Sequence, residues 1–248
     1  MKRRKKNIFK LKKRTKVIIS LIALILALSV SLIFGEDILD RFDNSNSHIP
    51  SASLDSIPEF NGESPYVIIN DNVPFFKDEE KVTKSYEKYG ELDGLGRCTV
   101  CIACIGVDIM PTEERGDIST VEPSGWINAK YDCVPGKYIY NRCHLIGFQL
   151  TGENANKQNL ITGTQYLNIE GMLPFENMIA DYVKETKNHV MLRVTPIYEG
   201  DNLVASGVLM EAWSVEDNGE CICFNVYTYN AQPGVIIDYA TGNTREDK

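Results

Sequence analysis

Hydrophobic and polar positions change period several times along this chain. Residues 17–34, VIISLIALILALSVSLIF, form an apolar run of 18 residues with no charge. At ~1.5 Å per residue the run spans about 27 Å, close to the hydrocarbon core of a bilayer. Residues 36–63 then lose sustained apolar periodicity and are rich in Ser, Asp, Asn and Pro, which predicts a linker. No internal repeat stands out.

From Tyr66 onward, short apolar runs are bounded by turn residues. YVIIN, followed by Asp-Asn-Val-Pro, predicts a strand and a turn. Residues 97–109, RCTVCIACIGVDI, read as one long buried strand, and MPTEERGDISTVEPSGW reads as a loop. YIYNRCHLIGF is β-rich in its first half, and NLITGTQYLN reads as a short strand or turn. In NIEGMLPFENMIADYVKETK, Met172, Phe175, Ile179 and Val183 recur at helical spacing while acids and lysines take other positions. Pro174 either opens that helix or kinks it. HVMLRVTPIY, LVASGVLMEAWSV and CICFNVYTYN then read as three antiparallel strands. The pattern predicts an α+β domain built around a sheet, over residues 64–248.

Charge divides the chain further. Residues 1–16 hold ten Lys or Arg and no acid; the whole chain has 26 basic and 34 acidic residues, so 16 against 34 remain, a net of −18 after Lys16. The basic block before the apolar run predicts a cytoplasmic segment at 1–16, a transmembrane signal anchor at 17–35 and an extracellular remainder. A cleaved signal peptide is the competing reading, and SLIFGED offers no clean small-x-small cleavage site. Under either reading the remainder is exported.

An even cysteine set in an exported protein would suggest a disulfide framework. There are seven: Cys98, Cys101, Cys104, Cys133, Cys143, Cys221 and Cys223. CTVCIAC has a metal-like spacing, but its neighbours are those of a buried strand, on which Cys98 and Cys104 share a face and Cys101 takes the other. Buried small apolar residues, one or two disulfides and a structural zinc site all remain open.

Of three histidines, His48 lies in the linker, His189 opens a strand, and His144 follows Arg142 inside an apolar and aromatic run. Neutral imidazole suits a general base near pH 7. On an extended strand, residues i and i+2 point the same way. Arg142 and His144 could thus present a cation and a base to one phosphate, with Cys143 facing away. Asn168 and Glu176 lie roughly 80° apart around a helix, on broadly one side. An amide and a carboxylate are hard oxygen donors suited to Mg²⁺.

This ordered set resembles the DNA/RNA non-specific endonucleases of the ββα-metal (His-Me finger) class. That family carries an Asp-Arg-Gly-His motif, and Asn141-Arg142-Cys143-His144 looks like a variant of it. Its N-x-I-T-x-Q…N segment and helix Glu are matched by NLITGTQYLNIEGMLPFE, placing Asn168 on the metal-binding Asn and Glu176 on the helix Glu. MPTEERGDISTVEPSGW and QPGVIIDYATGNT resemble the exported Gram-positive branch, and the likeness runs from about Gly90 to Arg245.

The resemblance implies a central antiparallel sheet flanked by helices and one Mg²⁺ held by Asn168, with Mn²⁺ able to substitute. It implies that His144 takes the proton of the attacking water, Arg142 neutralises charge on the phosphate and Glu176 orients a water at the metal. The substrates would be DNA and RNA and the products 5′-phosphates. Arg115 is the candidate for a second phosphate-contacting arginine, ahead of Arg97; otherwise it forms a surface ion pair among Glu113, Glu114 and Asp117. Asn141 in place of Asp removes a charge, and Cys143 in place of Gly adds a side chain.

A net −18 body repels polyanions at long range, although a local basic cleft can still work. The cations nearest the motifs in sequence are Lys130, Lys137, Lys184, Lys187 and Arg193. Two rivals remain: a non-catalytic membrane-anchored DNA-binding or uptake protein on the same fold, and a cell-envelope interaction domain with a cysteine metal site.

Overall fold

The computed structural model describes residues 57–247. The expected segments at 1–16 and 17–35, and His48, lie outside them. Among the described residues no helix is long and apolar enough to cross a membrane.

The architecture is a six-stranded antiparallel sheet with a separate hairpin and helix packed on one face. Its strands are β1 (Tyr66–Ile68), β2 (Tyr86–Tyr89), β3 (Cys101–Ile105), β6 (Val190–Ile197), β7 (Gly207–Ser214) and β8 (Cys223–Tyr229), ordered β1-β8-β7-β6-β3-β2. Between β3 and β6 the chain leaves the sheet. It forms β4 (Tyr140–His144), the one-turn helix α1 (Phe148–Thr151), β5 (Leu160–Thr164), a π-helical turn (Leu167–Met172) and α2 (Leu173–Thr186). β4 and β5 pair antiparallel, and a second hairpin, β9 (Val235–Ile237) with β10 (Thr244–Glu246), closes the fold. The three antiparallel strands expected after the helix are β6, β7 and β8.

Period-2 alternation divides the residues of the sheet between two environments. Leu192, Val194, Val208, Met210, Phe224 and Val226 face α2, which contributes Phe175, Ile179 and Val183 to the same core. The opposite face carries a buried polar row, Arg193–Glu211–Asn225, set by the β6–β7–β8 register. Buried polar groups require partners, and residues 72–80 supply them. Arg193 Nη2 bonds Glu80 Oε1 at 2.7 Å, Phe75 N–H donates to Glu211 Oε1 at 2.7 Å, and Asn225 Nδ2 donates to the Val73 carbonyl at 2.8 Å. Arg193 is therefore a structural cation on the back of the sheet.

Three sequence expectations change. The strand over 97–109 is only Cys101–Ile105. Gly106 opens a turn in which Ile109 N–H bonds its carbonyl, and upstream the Cys98 thiol is drawn to the carbonyls of Lys157 and Leu160, both at 3.2 Å. Cys98 therefore shares the main core with Cys101, and Cys104 faces the other way, against Phe76 and Met191. The linker also ends earlier than residue 63: Phe60 packs against Tyr166 and Tyr229, and Tyr229 Oη donates to the Pro58 carbonyl. An apolar anchor in a polar stretch is enough to dock those residues.

All seven cysteines are free thiols, with Cys98, Cys101, Cys104 and Cys143 buried. Burial pushes the Cys98 and Cys104 thiols up to about 12, which leaves them protonated and inert. Among the described residues no group of three or more His, Cys, Asp or Glu is placed to hold a metal ion.

Candidate active site

β4 and β5 set the site's floor through the register Arg142↔Thr162 and His144↔Leu160. Two buried asparagines lock this hairpin. Asn159 accepts from Ile146 N–H at 2.8 Å and donates to the Ile146 carbonyl at 3.0 Å. Asn230 does the same between Thr164 N–H and the Thr162 carbonyl. After β5 the chain enters the helix through the π turn, where Leu173 N–H bonds the Asn168 carbonyl. Pro174 has no N–H to give the Glu170 carbonyl, so the α ladder lacks a bond where the wide turn meets α2. The widened turn carries Asn168, and the first turn of α2 carries Glu176.

His144 is 6% exposed. Its Nε2 lies 2.8 Å from the Asn154 carbonyl and its Nδ1 lies 3.3 Å from Arg115 Nη2. A carbonyl only accepts and a guanidinium only donates. The ring is therefore the Nε2–H tautomer, with its Nδ1 lone pair turned to the cleft. Burial lowers its pKa to about 4, Arg115 adds to this, and the Asn154 carbonyl opposes it. The imidazole is unprotonated at neutral pH, as a base requires.

The arginine beside His144 is Arg115, not Arg142. Arg142 turns into the loop that precedes the hairpin: Nε donates to the Val121 carbonyl and Nη2 to the Ser119 carbonyl at 2.7 Å, and the guanidinium lies 4.3 Å over the Trp126 ring. Lysine cannot span two carbonyls and stack at once. Arg142→Lys is expected to cost about 1–2 kcal/mol and to speed amide hydrogen exchange across residues 118–126. Unchanged exchange would mean the loop holds itself. Arg97 is remote from the cleft and structural, paired with Asp93 at 2.7 Å and bonded to the Gly200 and Asn202 carbonyls.

Arg115, His144, Gly147, Gln149, Asn168 and Glu176 line one cleft of about 280 Å³. Asn168 Oδ1 accepts from the Cys143 thiol at 3.2 Å, so the side chain that replaces the motif's glycine steadies the amide. Room for that thiol comes from Gly163, where a Cβ would lie 2.5 Å from Cys143 Cβ. Asn141 is half-buried and lines an adjoining cleft.

Glu176 is buried, and a Cβ at Gly147 would sit 2.5 Å from its carboxylate. Burial pushes its carboxyl up to about 7, against a hydrogen bond from Gln149 and the charge of Arg115. The fold therefore keeps a proton that the unfolded chain releases from about 4.5, so this group's contribution to stability falls as pH rises from 4.5 through 7. Glu176→Gln is expected to raise stability by about 1–3 kcal/mol at pH 8 in EDTA and to change little at pH 4.5. Thermal melts at the two pH values check this; equal shifts would contradict it.

The donor set fits a hard divalent cation. An oriented amide oxygen and a carboxylate share the cleft, and burial raises the Cys143 thiol nearby, which already donates to that amide oxygen. A cation there would lean on water and phosphate oxygens for its other positions.

A family model described as DNA/RNA non-specific endonuclease matches residues 78–216, more than half of the chain. This chain belongs to that family. The β4–β5 hairpin followed by α2, beside the antiparallel sheet, agrees with the ββα-metal fold expected of it. NucA from Streptococcus agalactiae, a structure with magnesium ion bound, aligns at a TM-score of 0.65 and 26% identity, over 75% of this chain and 91% of NucA. The Sda1 nuclease, a structure with bound zinc ion, aligns at 0.61 and 24% identity, over 74% of this chain and 97% of Sda1. An extracellular endonuclease aligns at 0.53 and 22% identity, over 71% of this chain and 90% of its own, a likeness of fold alone.

Reading the nuclease from sequence missed three supports of the site: the Asn154 carbonyl, Gly147 and Gln149. A backbone carbonyl leaves no side-chain signal at all. Gly147 had one, a glycine three residues after the histidine.

Proposed function

We propose that this nuclease hydrolyses internal phosphodiester bonds of DNA and RNA, without regard to the sugar, and leaves 5′-phosphates. The observation that carries the reading is the pinned tautomer of His144. Nε2–H is held by Asn154, and Nδ1 opens onto the cleft shared with Arg115, Asn168 and Glu176.

Nδ1 takes the proton of the attacking water. Arg115, exposed and held only by that imidazole among the described residues, swings a short way to the scissile phosphate and neutralises its developing charge. Arg142 keeps the rim of the cleft in shape. Asn168 holds the cation, and Glu176 orients water beside it. Mg²⁺, for which Mn²⁺ can substitute, supplies Lewis-acid stabilisation of the phosphate and leaving oxygen when bound. The magnesium in NucA supports this choice, and the zinc in Sda1 supports a divalent cation more generally. The protein acts outside the cell, held by residues 17–35 as a single-pass anchor.

The test uses the whole chain in detergent micelles, with supercoiled plasmid and structured RNA, in Mg²⁺ and in EDTA. Degradation of both polymers in Mg²⁺ alone, with ends that accept label from a kinase only after phosphatase treatment, is the expected result. No cleavage by folded, Mg²⁺-supplied protein would overturn the reading. It would mark the Asn141 and Cys143 departures as those of a DNA-binding descendant.

A further inference from the structure

We propose that the cleft adjoining the catalytic one takes a single unpaired nucleobase of the strand being cut; this rests on the nuclease reading above. The cleft has a volume of about 410 Å³ and shares Arg115 and Asn168 with the catalytic cleft, so a strand whose phosphate sits by His144 has its next residue there.

The walls are flat and pre-set. The Tyr138 ring is 49% exposed, with Lys130 Nζ 4.6 Å over it. The Arg142 guanidinium is held in plane by two carbonyls and by Trp126. Aromatic rings and fixed guanidinium planes are surfaces on which bases stack. Asn141 also lines the cleft, and its side chain makes no hydrogen bond among the described residues. A free primary amide offers a donor and acceptor to any base edge, whereas a carboxylate offers only acceptors and adds charge beside a phosphate.

Electrostatics points the same way. The chain after Lys16 carries a net −18, and the cations lining the two clefts are Arg115 and Arg142. Phosphate neutralisation is correspondingly weak, and stacking is the sequence-tolerant replacement. A third cleft, which borders the catalytic one at Phe148, is lined by Glu113 and Glu114 and repels a polyanion. The strand therefore extends toward Tyr138. A base held in a duplex cannot reach this surface without leaving its stack, so the preferred substrate is single-stranded or locally unpaired.

The chain has two tryptophans, so Trp213→Phe leaves Trp126 as the sole indole reporter. The whole chain with that change, in micelles, is titrated with three short probes of equal length. These are a base-bearing single strand, the same strand made abasic throughout, and a duplex. Titrations run in EDTA and again in Mg²⁺ with His144→Ala added to prevent cleavage. The base-bearing strand is expected to change Trp126 emission saturably and to bind about five- to a hundredfold more tightly than the abasic strand, with the duplex also weaker. Tyr138→Ala is expected to bring that ratio toward one, and Tyr138→Phe to preserve it. Equal affinity for base-bearing and abasic strands, or no change in emission in either condition, overturns the proposal. Plasmid cleavage by the unmodified chain is scored separately, so a failed base cleft in a working nuclease is distinguishable from a protein that is no nuclease.

Discussion

Replacing His144 by alanine is expected to lower kcat by about 10²–10⁴-fold, the usual contribution of a positioned base. The site offers no substitute. Glu176, the other buried acid–base group in the cleft, is committed in this scheme to the water beside the cation. The mutant should still bind divalent cation, because Asn168 is held by Cys143 and not by the imidazole. It loses the bond to Asn154, so its melting temperature is measured alongside to keep misfolding apart from lost chemistry. The pH profile adds a second signature. With the imidazole pKa lowered to about 4, the wild-type base stays competent well below the ordinary 6.5 and is lost only as pH falls through about 4. At saturating Mg²⁺ the cation's charge favours the ionised form of Glu176, and the acid limb is expected to follow His144. Free imidazole added to the alanine mutant should restore part of the rate and move that limb up to imidazole's own pKa. Wild-type kcat in His144→Ala would end the assignment of His144 as base.

Asn168→Ala is expected to be nearly as severe, through the cation. It removes the oriented amide oxygen, and among the described residues no cluster of metal-ligating side chains stands ready to replace it. At sub-saturating Mg²⁺, kcat/KM should fall by about a hundredfold or more, and higher Mg²⁺ should recover part of the loss. Calorimetry with Mn²⁺ reads the binding directly. A ligand that binds only the folded state stabilises it, so Mg²⁺ should raise the melting temperature of the wild type and leave that of the mutant almost unchanged. Asn168→Asp, which keeps a hard oxygen, should regain binding. An alanine mutant that binds Mn²⁺ as tightly as the wild type would place the cation elsewhere in the cleft. Cys143→Ala is milder in this scheme: it frees the amide to rotate without removing its oxygen.

The sequence by itself determined whatever rests on local period or ordered motif. Helical spacing in Met172, Phe175, Ile179 and Val183 located α2, and the apolar runs HVMLRVTPIY, LVASGVLMEAWSV and CICFNVYTYN located β6, β7 and β8. The order Arg142, His144, Asn168, Glu176 pointed to the family that the family match then bore out. Those signals survive in one dimension because each is repeated or spaced along the chain. The tertiary structure decided which arginine meets His144. Strand alternation placed Arg142 there, yet carbonyls of Ser119 and Val121, more than 20 residues upstream, draw its side chain into the loop, and Arg115 from that loop takes the place. Tertiary packing also decided where β3 begins, because the Cys98 thiol answers to carbonyls near residue 160 and not to the pleat. The tautomer of His144 rests on a backbone carbonyl, and the raised pKa of Glu176 rests on burial against a glycine. None of these has a residue pattern of its own. They depend on distances between segments far apart in the chain, which only the folded backbone sets.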